Sequence, residues 1–373
     1  MVYLHIPFCK KACNYCNFHF STHTSYYEDM LNAMLQEIEY RKEYLATTPL
    51  KSIYFGGGTP SIVPTKYITA FLEKLEKLYG WENDIEISLE ANPDDLTIPK
   101  LQELKNSGIN RLSIGIQSFV ERDLIFMNRS HTAPQAIECI KNAQNIGIDN
   151  ISIDLIYGTP TLSSTDWQKN LQQANDLQIA HLSCYALTVE PNTALYHQIN
   201  TKKISPVDDD KMVQQFHILH TFLDAHAYEA YEVSNFCKNK KYALHNTNYW
   251  LGSSYTGIGP SAHSFNQHSR QYNISNNIMY MKAIQNTTSF FEIETLTAYN
   301  QYNEYILTSL RTQWGTDVDK ITDQFGKSTA TYFLKQIMPY IKQGLVHQNN
   351  TIYTLTLQGK LYADTIQADL FQV

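Results

Sequence analysis

Along the first 225 residues, short β-branched runs are followed by turns rich in Gly, Pro or polar residues, and then by stretches with helical periodicity. That rhythm is the signature of βα units, because parallel strands need crossovers long enough to carry a helix. It predicts strands over 2–6, 52–55, 85–90, 111–116, 151–156 and 181–187, and helices over 26–44, 65–79, 99–106, 133–146, 165–177 and 208–225. Pro99 suits a first helical turn, and Gly108 and Gly147 suit helix ends. Six such units in residues 1–225 imply an α/β fold, a partial (β/α)6 TIM-like barrel rather than a closed ring of eight. Polar residues fall near the C-terminal ends of the proposed strands: Cys9, the Gly56-Gly57-Gly58 run, Glu90, Gln117, Asp154 and Tyr185. In parallel α/β sheets that rim is where sites are built.

Past residue 225 the rhythm gives way to a Tyr-, Asn- and Gly-rich stretch, 226–296. It contains His245-Asn-Thr-Asn-Tyr-Trp250 and reads as loops attached to the barrel mouth. In 297–373, helical patterns at 298–310, 317–324 and 328–342 precede two apolar runs, 345–347 and 352–355, whose polar connection suits a hairpin. Three helices and a hairpin predict a small winged-helix-like α+β domain. Such folds often bind DNA, but residues 290–373 hold six Lys or Arg against eight Asp or Glu, so this one reads as a packing or partner-binding module.

Composition adds exclusions. At 43% hydrophobic and 17% charged the chain is a folded globular protein, and a formal net charge of -7 leaves no electrostatic footprint for nucleic acid or an anionic membrane. No run approaches the ~18–20 apolar residues of a membrane span. The first residues lack the basic start and long apolar stretch of a secretory signal, so a cytoplasmic location is expected.

Of six cysteines, Cys139, Cys184 and Cys237 stand alone and are expected to be buried thiols. Cys9, Cys13 and Cys16 crowd one short segment, and in a reducing compartment such a cluster reads as metal ligands. Three thiolates with His5 or His19 could complete tetrahedral zinc. A four-iron cluster held by three thiolates would instead keep one iron with an open position.

The Cys9-x3-Cys13-x2-Cys16 spacing after Tyr3-Leu-His-Ile-Pro-Phe8 resembles the radical S-adenosylmethionine (radical SAM) superfamily. Gly56-Gly-Gly-Thr-Pro60, Glu90-Ala-Asn-Pro93, Gly115-Ile-Gln-Ser-Phe119, Asn128-Arg-Ser-His131, Asp154-Leu-Ile-Tyr-Gly-Thr-Pro160 and Gly257-Ile-Gly-Pro-Ser-Ala-His263 follow in the order of its oxygen-independent coproporphyrinogen oxidase group. Within that group the coproporphyrinogen dehydrogenases place another Cys where this chain has Phe18, and His245-Asn-Thr-Asn-Tyr-Trp250 is similar to the haem-binding motif of the haem-chaperone branch. Leu244 stands where chaperone members often carry Arg, and Tyr15 where Phe is often found.

The resemblance implies a [4Fe-4S] cluster on Cys9, Cys13 and Cys16. It implies S-adenosylmethionine contacted by Tyr3, Tyr15, Gly57, Gly58, Thr59, Glu90, Gln117, Arg129 and Asp154, and haem ligated by His245. No catalytic residue is assigned. The partners it implies are haem and an acceptor apo-haemoprotein, a membrane-associated one included. The alternative within the group is oxidative decarboxylation of a porphyrinogen propionate, and the replacement of a cysteine by Phe18 argues against it.

Overall fold

The computed structural model describes residues 1–45 and 49–372. Six parallel strands, β1 (Val2–Ile6), β2 (Leu50–Gly57), β3 (Trp81–Ala91), β4 (Arg111–Gln117), β5 (Ile151–Tyr157) and β6 (His181–Ala186), pair in chain order. The helices that follow them include α1 (Tyr27–Tyr40), α2 (Thr65–Tyr79), α3 (Ile98–Asn106), α4 (Glu121–Phe126), α5 (Ala133–Asn145), α6 (Ser164–Asp176), α7 (Ala194–Asn200) and α8 (Asp209–Ala225). The partial barrel and its strand positions therefore agree with the sequence reading, while α4 and α7 are short and were not anticipated.

Local chemistry sets the boundaries. Thr132 and Gln135 form a capping box that starts α5, with Pro134 in its first turn, and Ser163 caps α6 through the Asp166 N–H.

Residues 226–258 are not a mouth extension. Antiparallel β7 (Glu229–Ala230) and β8 (Asn235–Cys237) extend the sheet beyond β6, and β9 (Thr256–Ile258) pairs parallel with β1, giving the order β7-β8-β6-β5-β4-β3-β2-β1-β9. The 245–250 motif lies in a helix, α9 (Leu244–Trp250), rather than a loop. That helix sits at the N-terminal end of the barrel, where its Leu244 and His245 N–H groups donate to Glu86 and the His245 ring meets Ser52. A three-stranded antiparallel sheet, β10 (His263–Phe265), β11 (Ser269–Asn273) and β12 (Phe291–Thr295), follows, and α10 (Asn277–Gln285) packs on α1.

The rest of the chain has its own core of Tyr302, Ile306, Leu310, Ile321, Phe333 and Ile337 among others. It comprises α11 (Ala298–Ser309), α12 (Val318–Phe325) and α13 (Lys327–Lys342), with β13 (Thr316–Asp317) and the hairpin β14 (Val346–Asn349) and β15 (Ile352–Leu355) in one sheet. This is the helices-plus-hairpin arrangement expected. Among the described residues, no helix is long and apolar enough to cross a membrane.

The barrel strands alternate in character. Leu4, Ile53, Phe55, Ile87, Leu89, Leu112, Ile153 and Leu182 face the helices and form the main core. Tyr3, Tyr54, Glu90, Arg111, Ser113, Ser152, Asp154, His181 and Ser183 line an internal cavity of about 260 Å³. Parallel strands covered on both faces are usually apolar throughout, so a polar inner face marks a bore built to hold something.

Candidate functional site

The three clustered cysteines lie on the loop between β1 and α1, above the C-terminal ends of the strands, and all are partly exposed. The loop is tied down by its neighbours. The Cys9 N–H donates to the Ser21 carbonyl, Asn14 bonds the carbonyls of Phe126 and Met127, and Asn128 Nδ2 donates to the Ala12 carbonyl at 2.7 Å. Asn128 has a positive φ of 57°, which asparagine tolerates better than most residues. It turns the chain so that the next residue, Arg129, reaches back across the barrel.

Two of the cysteine sulfurs already meet donors. Thr59 Oγ1 donates to Cys9 Sγ and Arg129 Nη1 donates to Cys13 Sγ, each at 3.3 Å. Arg129 Nη2 also donates to Asn92 Oδ1 and the Gly115 carbonyl, at 2.7 and 2.6 Å. Its Nε is buried without a partner. Desolvation raises the Cys9 thiol to about 11, a burden that thiolate bonding to a cationic metal centre would remove.

At the end of β2 the chain must pass close to β1. Gly58 N–H donates to the Ile6 carbonyl at 2.8 Å, and a Cβ on Gly58 would fall 2.5 Å from the Phe8 carbonyl oxygen. A Cβ on Gly57, whose φ is +107°, would strike the His5 ring at 2.7 Å. Glycine at both positions thus leaves backbone bare at the rim. The Gly57 N–H donates to Glu90 Oε2 at 3.1 Å, and Tyr54 Oη donates to Glu90 Oε1 at 2.8 Å.

Burial pushes the Glu90 carboxyl up to about 8, with the Asp154 charge adding to the effect. Burial likewise raises Asp154 to about 6 against a hydrogen bond from Ser183. Two carboxylates with little compensation in a bore are a demand for cationic or hydroxyl groups from a ligand.

The structure brings Cys9, Cys13, Cys16, Tyr15, Gly57, Gly58, Thr59, Glu90, Gln117, Arg129 and Asp154 to one end of the barrel. Tyr3 lies deeper, donating to His5 Nδ1 at 3.1 Å. His245 is not with them, because it closes the opposite end of the bore. It is 1% exposed, its Nδ1 is 2.9 Å from Ser52 Oγ and its Nε2 is 3.1 Å from Tyr249 Oη. Burial lowers it to about 3, so the ring is neutral. With both nitrogens engaged and a 260 Å³ bore on one side, this imidazole is not available to a haem iron as it stands. A haem-ligand role for His245 therefore requires one of these two contacts to be given up.

Residues the sequence did not single out support the site: Tyr54 on Glu90, Asn92 on Arg129, and Ser183 on Asp154. The signal that could have found Tyr54 and Ser183 is the every-second-residue polar pattern along β2 to β6.

The donor set fits a four-iron cluster with an amino-acid ligand: three thiols on one loop, hydrogen bonds already aimed at two sulfurs, and an unpartnered guanidinium Nε beside them. Zinc fits poorly. His5 Nε2 is spent on the His19 carbonyl, and His19 Nε2 on Asn277.

Comparison with known proteins bears on the same residues. Residues 3–174 match the radical SAM superfamily and residues 296–362 match the HemN C-terminal domain. "Heme chaperone HemW" of Bacillus subtilis is 29% identical, with 98% of this chain and 97% of that protein aligned. "Radical S-adenosyl methionine domain-containing protein 1, mitochondrial" of Dictyostelium discoideum is 32% identical over 98% of this chain and 93% of that one, and the HemW of Buchnera aphidicola is 33% identical over 70% and 69%. Among solved structures, coproporphyrinogen III oxidase (HemN) of Escherichia coli superposes with a TM-score of 0.86 at 24% identity, covering 100% of this chain and 89% of that one, which establishes a shared fold.

Proposed function

The chain belongs to the HemW-like family of radical SAM proteins, and from that premise we propose that it is a haem chaperone, taking up haem and passing it to an acceptor haemoprotein. The observation that carries this reading is the His245–Trp250 helix, which has one end in the barrel bore and the other, Tyr249 and Trp250, on the wall of a larger external groove. Against the decarboxylase alternative, Phe18 stands 69% exposed at the position where those enzymes place a further cysteine.

Membership implies a [4Fe-4S] cluster and S-adenosylmethionine, which together supply reductive cleavage chemistry when bound. Cys9, Cys13 and Cys16 would hold the cluster, with Thr59 and Arg129 stabilising the sulfur charge through the bonds described above. The remaining roles are assigned by chemistry. Arg129 suits the ligand's carboxylate, Glu90 and the bare backbone of Gly57 and Gly58 its amino group, and Asp154 the ribose hydroxyls. Tyr3, Tyr15 and Gln117 wall the space around them.

The chaperone reading is tested by anaerobic titration of haem into cluster-reconstituted protein, following the Soret band. A saturable shift at equimolar haem, weakened in His245→Ala, is the expected result. No saturable shift in the wild type would discard the reading.

Glu90 makes a second expectation. Its folded value near 8 lies above the ordinary 4.5, so ionising it destabilises the ligand-free barrel progressively as pH rises from about 4.5 through 8. Glu90→Gln should therefore raise the ligand-free melting temperature at pH 8.5 and leave it nearly unchanged at pH 4. In the wild type, the affinity for S-adenosylmethionine should increase between pH 6.5 and 8.5 as the carboxylate becomes available, and Glu90→Gln should flatten that profile. Calorimetry showing the same slope in both proteins would remove Glu90 from the ligand's amino group.

A further inference from the structure

On the outside of the barrel, between α9 with the β10–β11 turn and the C-terminal domain, lies a groove of about 850 Å³, more than three times the volume of the bore. That is within the usual ~300–1,000 Å³ of cofactor sites, whereas the bore is below it. Trp250, Tyr255, Phe265, Tyr305, Trp314 and Phe325 line the groove, so its walls suit a flat aromatic ligand.

Its charge is unusual for this chain. The formal net charge of the protein is -7, yet the groove presents Arg270 and Lys320 against one carboxylate, Glu304. Glu304 is already engaged, 2.7 Å from Arg270 Nη2. Arg270 Nε is buried without an acceptor, and so is the indole Nε1 of Trp250. Lys320 lies over the Tyr305 ring at 4.5 Å and has no carboxylate partner among the described residues. The groove therefore offers an aromatic slot with spare donors, which matches a porphyrin bearing two carboxylates.

One imidazole lines it, His268, exposed on the β10–β11 turn. Asn266 Oδ1 shapes that turn by accepting the His268 and Ser269 N–H groups at 3.1 and 2.7 Å. Tyr249 lines both the groove and the bore, and its hydroxyl is the group that meets His245 Nε2.

Resting on the chaperone reading, we propose that haem seats in this groove, with Arg270 and Lys320 as partners for its propionates and His268 as its iron ligand. His245 is then a positioning residue that holds Tyr249 at the groove wall from inside the barrel.

The test is haem titration of the cluster-reconstituted full chain with four variants. Thr308→Trp, which fills the groove from α11, and the double variant Arg270→Gln/Lys320→Gln should each weaken haem binding about tenfold or more, with iron content and S-adenosylmethionine affinity unchanged. His268→Ala should lose the spectrum of an imidazole-ligated iron, and free imidazole should restore it. His245→Ala should bind more weakly yet keep that spectrum.

Groove variants that bind haem like the wild type, together with loss of the imidazole spectrum in His245→Ala, would overturn the proposal and leave the chaperone reading intact. A wild type that binds no haem would overturn both. Should Thr308→Trp fail to fold, amide exchange on the wild type decides: haem-dependent protection of 301–308 and 320–325 supports the groove, and protection confined to the barrel strands refutes it.

Discussion

Cys13→Ala is expected to bring cluster iron from about four per chain to near zero after reconstitution, and to abolish measurable S-adenosylmethionine binding. The loop offers three sulfurs, and the loss of one removes both a ligand and the acceptor that Arg129 Nη1 holds at 3.3 Å. The guanidinium would then retain only Asn92 and the Gly115 carbonyl, with its Nε still unpartnered. Haem affinity provides the contrast. Because the groove lies outside the barrel, beyond the end opposite to the cysteines, equilibrium haem binding should survive in Cys13→Ala. Iron and sulfide analysis beside the Soret titration measures both. Full iron content in the variant would contradict the ligand assignment, and joint loss of haem would show that the two ends are coupled.

The second large effect lies at the base of the barrel. The N-cap of helix α9 is Ala243, whose methyl group cannot accept a hydrogen bond, and the first two N–H groups of the helix are satisfied across space by Glu86, at 2.9 and 3.0 Å. The same carboxylate lies 3.9 Å from Arg111 Nε, and Arg111 is 1% exposed. Glu86→Ala leaves two helix donors orphaned and removes the carboxylate nearest the buried Arg111 guanidinium, which keeps Asn150 and Ser152, a combination that costs about 3 kcal/mol. The barrel's denaturation midpoint should fall accordingly, and amide exchange across 244–250 should accelerate. Glu86→Gln, which keeps an acceptor but not the charge, should be intermediate. Unchanged exchange at α9 in Glu86→Ala would mean that the helix is held by its other contacts.

Much of the architecture is legible in the sequence. The six strand runs, the helices between them and the C-terminal helices with their hairpin are local patterns, since each depends on residues within a few turns or pleats of one another. The cysteine spacing, the glycine run and the order of the motifs are equally local. The buried isolated thiols Cys139, Cys184 and Cys237 follow from the same reasoning, and all three are buried.

The readings that changed depend on contacts between residues far apart in the chain. The 245–250 segment reads as a loop because it is short, lacks a side-chain cap and mixes polar with aromatic residues. It is a helix because Glu86, 158 and 159 residues away from the two amides it accepts, supplies the missing cap. The same segment reads as part of the mouth because the βα rhythm gives way there to a Tyr-, Asn- and Gly-rich stretch. It lies at the base because Ser52 and Glu86, toward the N-terminal ends of β2 and β3, meet its imidazole and its first two N–H groups.

By itself, then, the sequence determined the class of fold and the positions of its elements. Those properties are written in periodicity and spacing along one chain. Only the tertiary structure decided that His245 is enclosed with both nitrogens occupied, that Glu90 and Asp154 are buried together in a polar bore, and that the roomy aromatic groove lies outside the barrel. Burial and hydrogen-bond partnership arise when distant segments meet, and no local pattern along the chain records them.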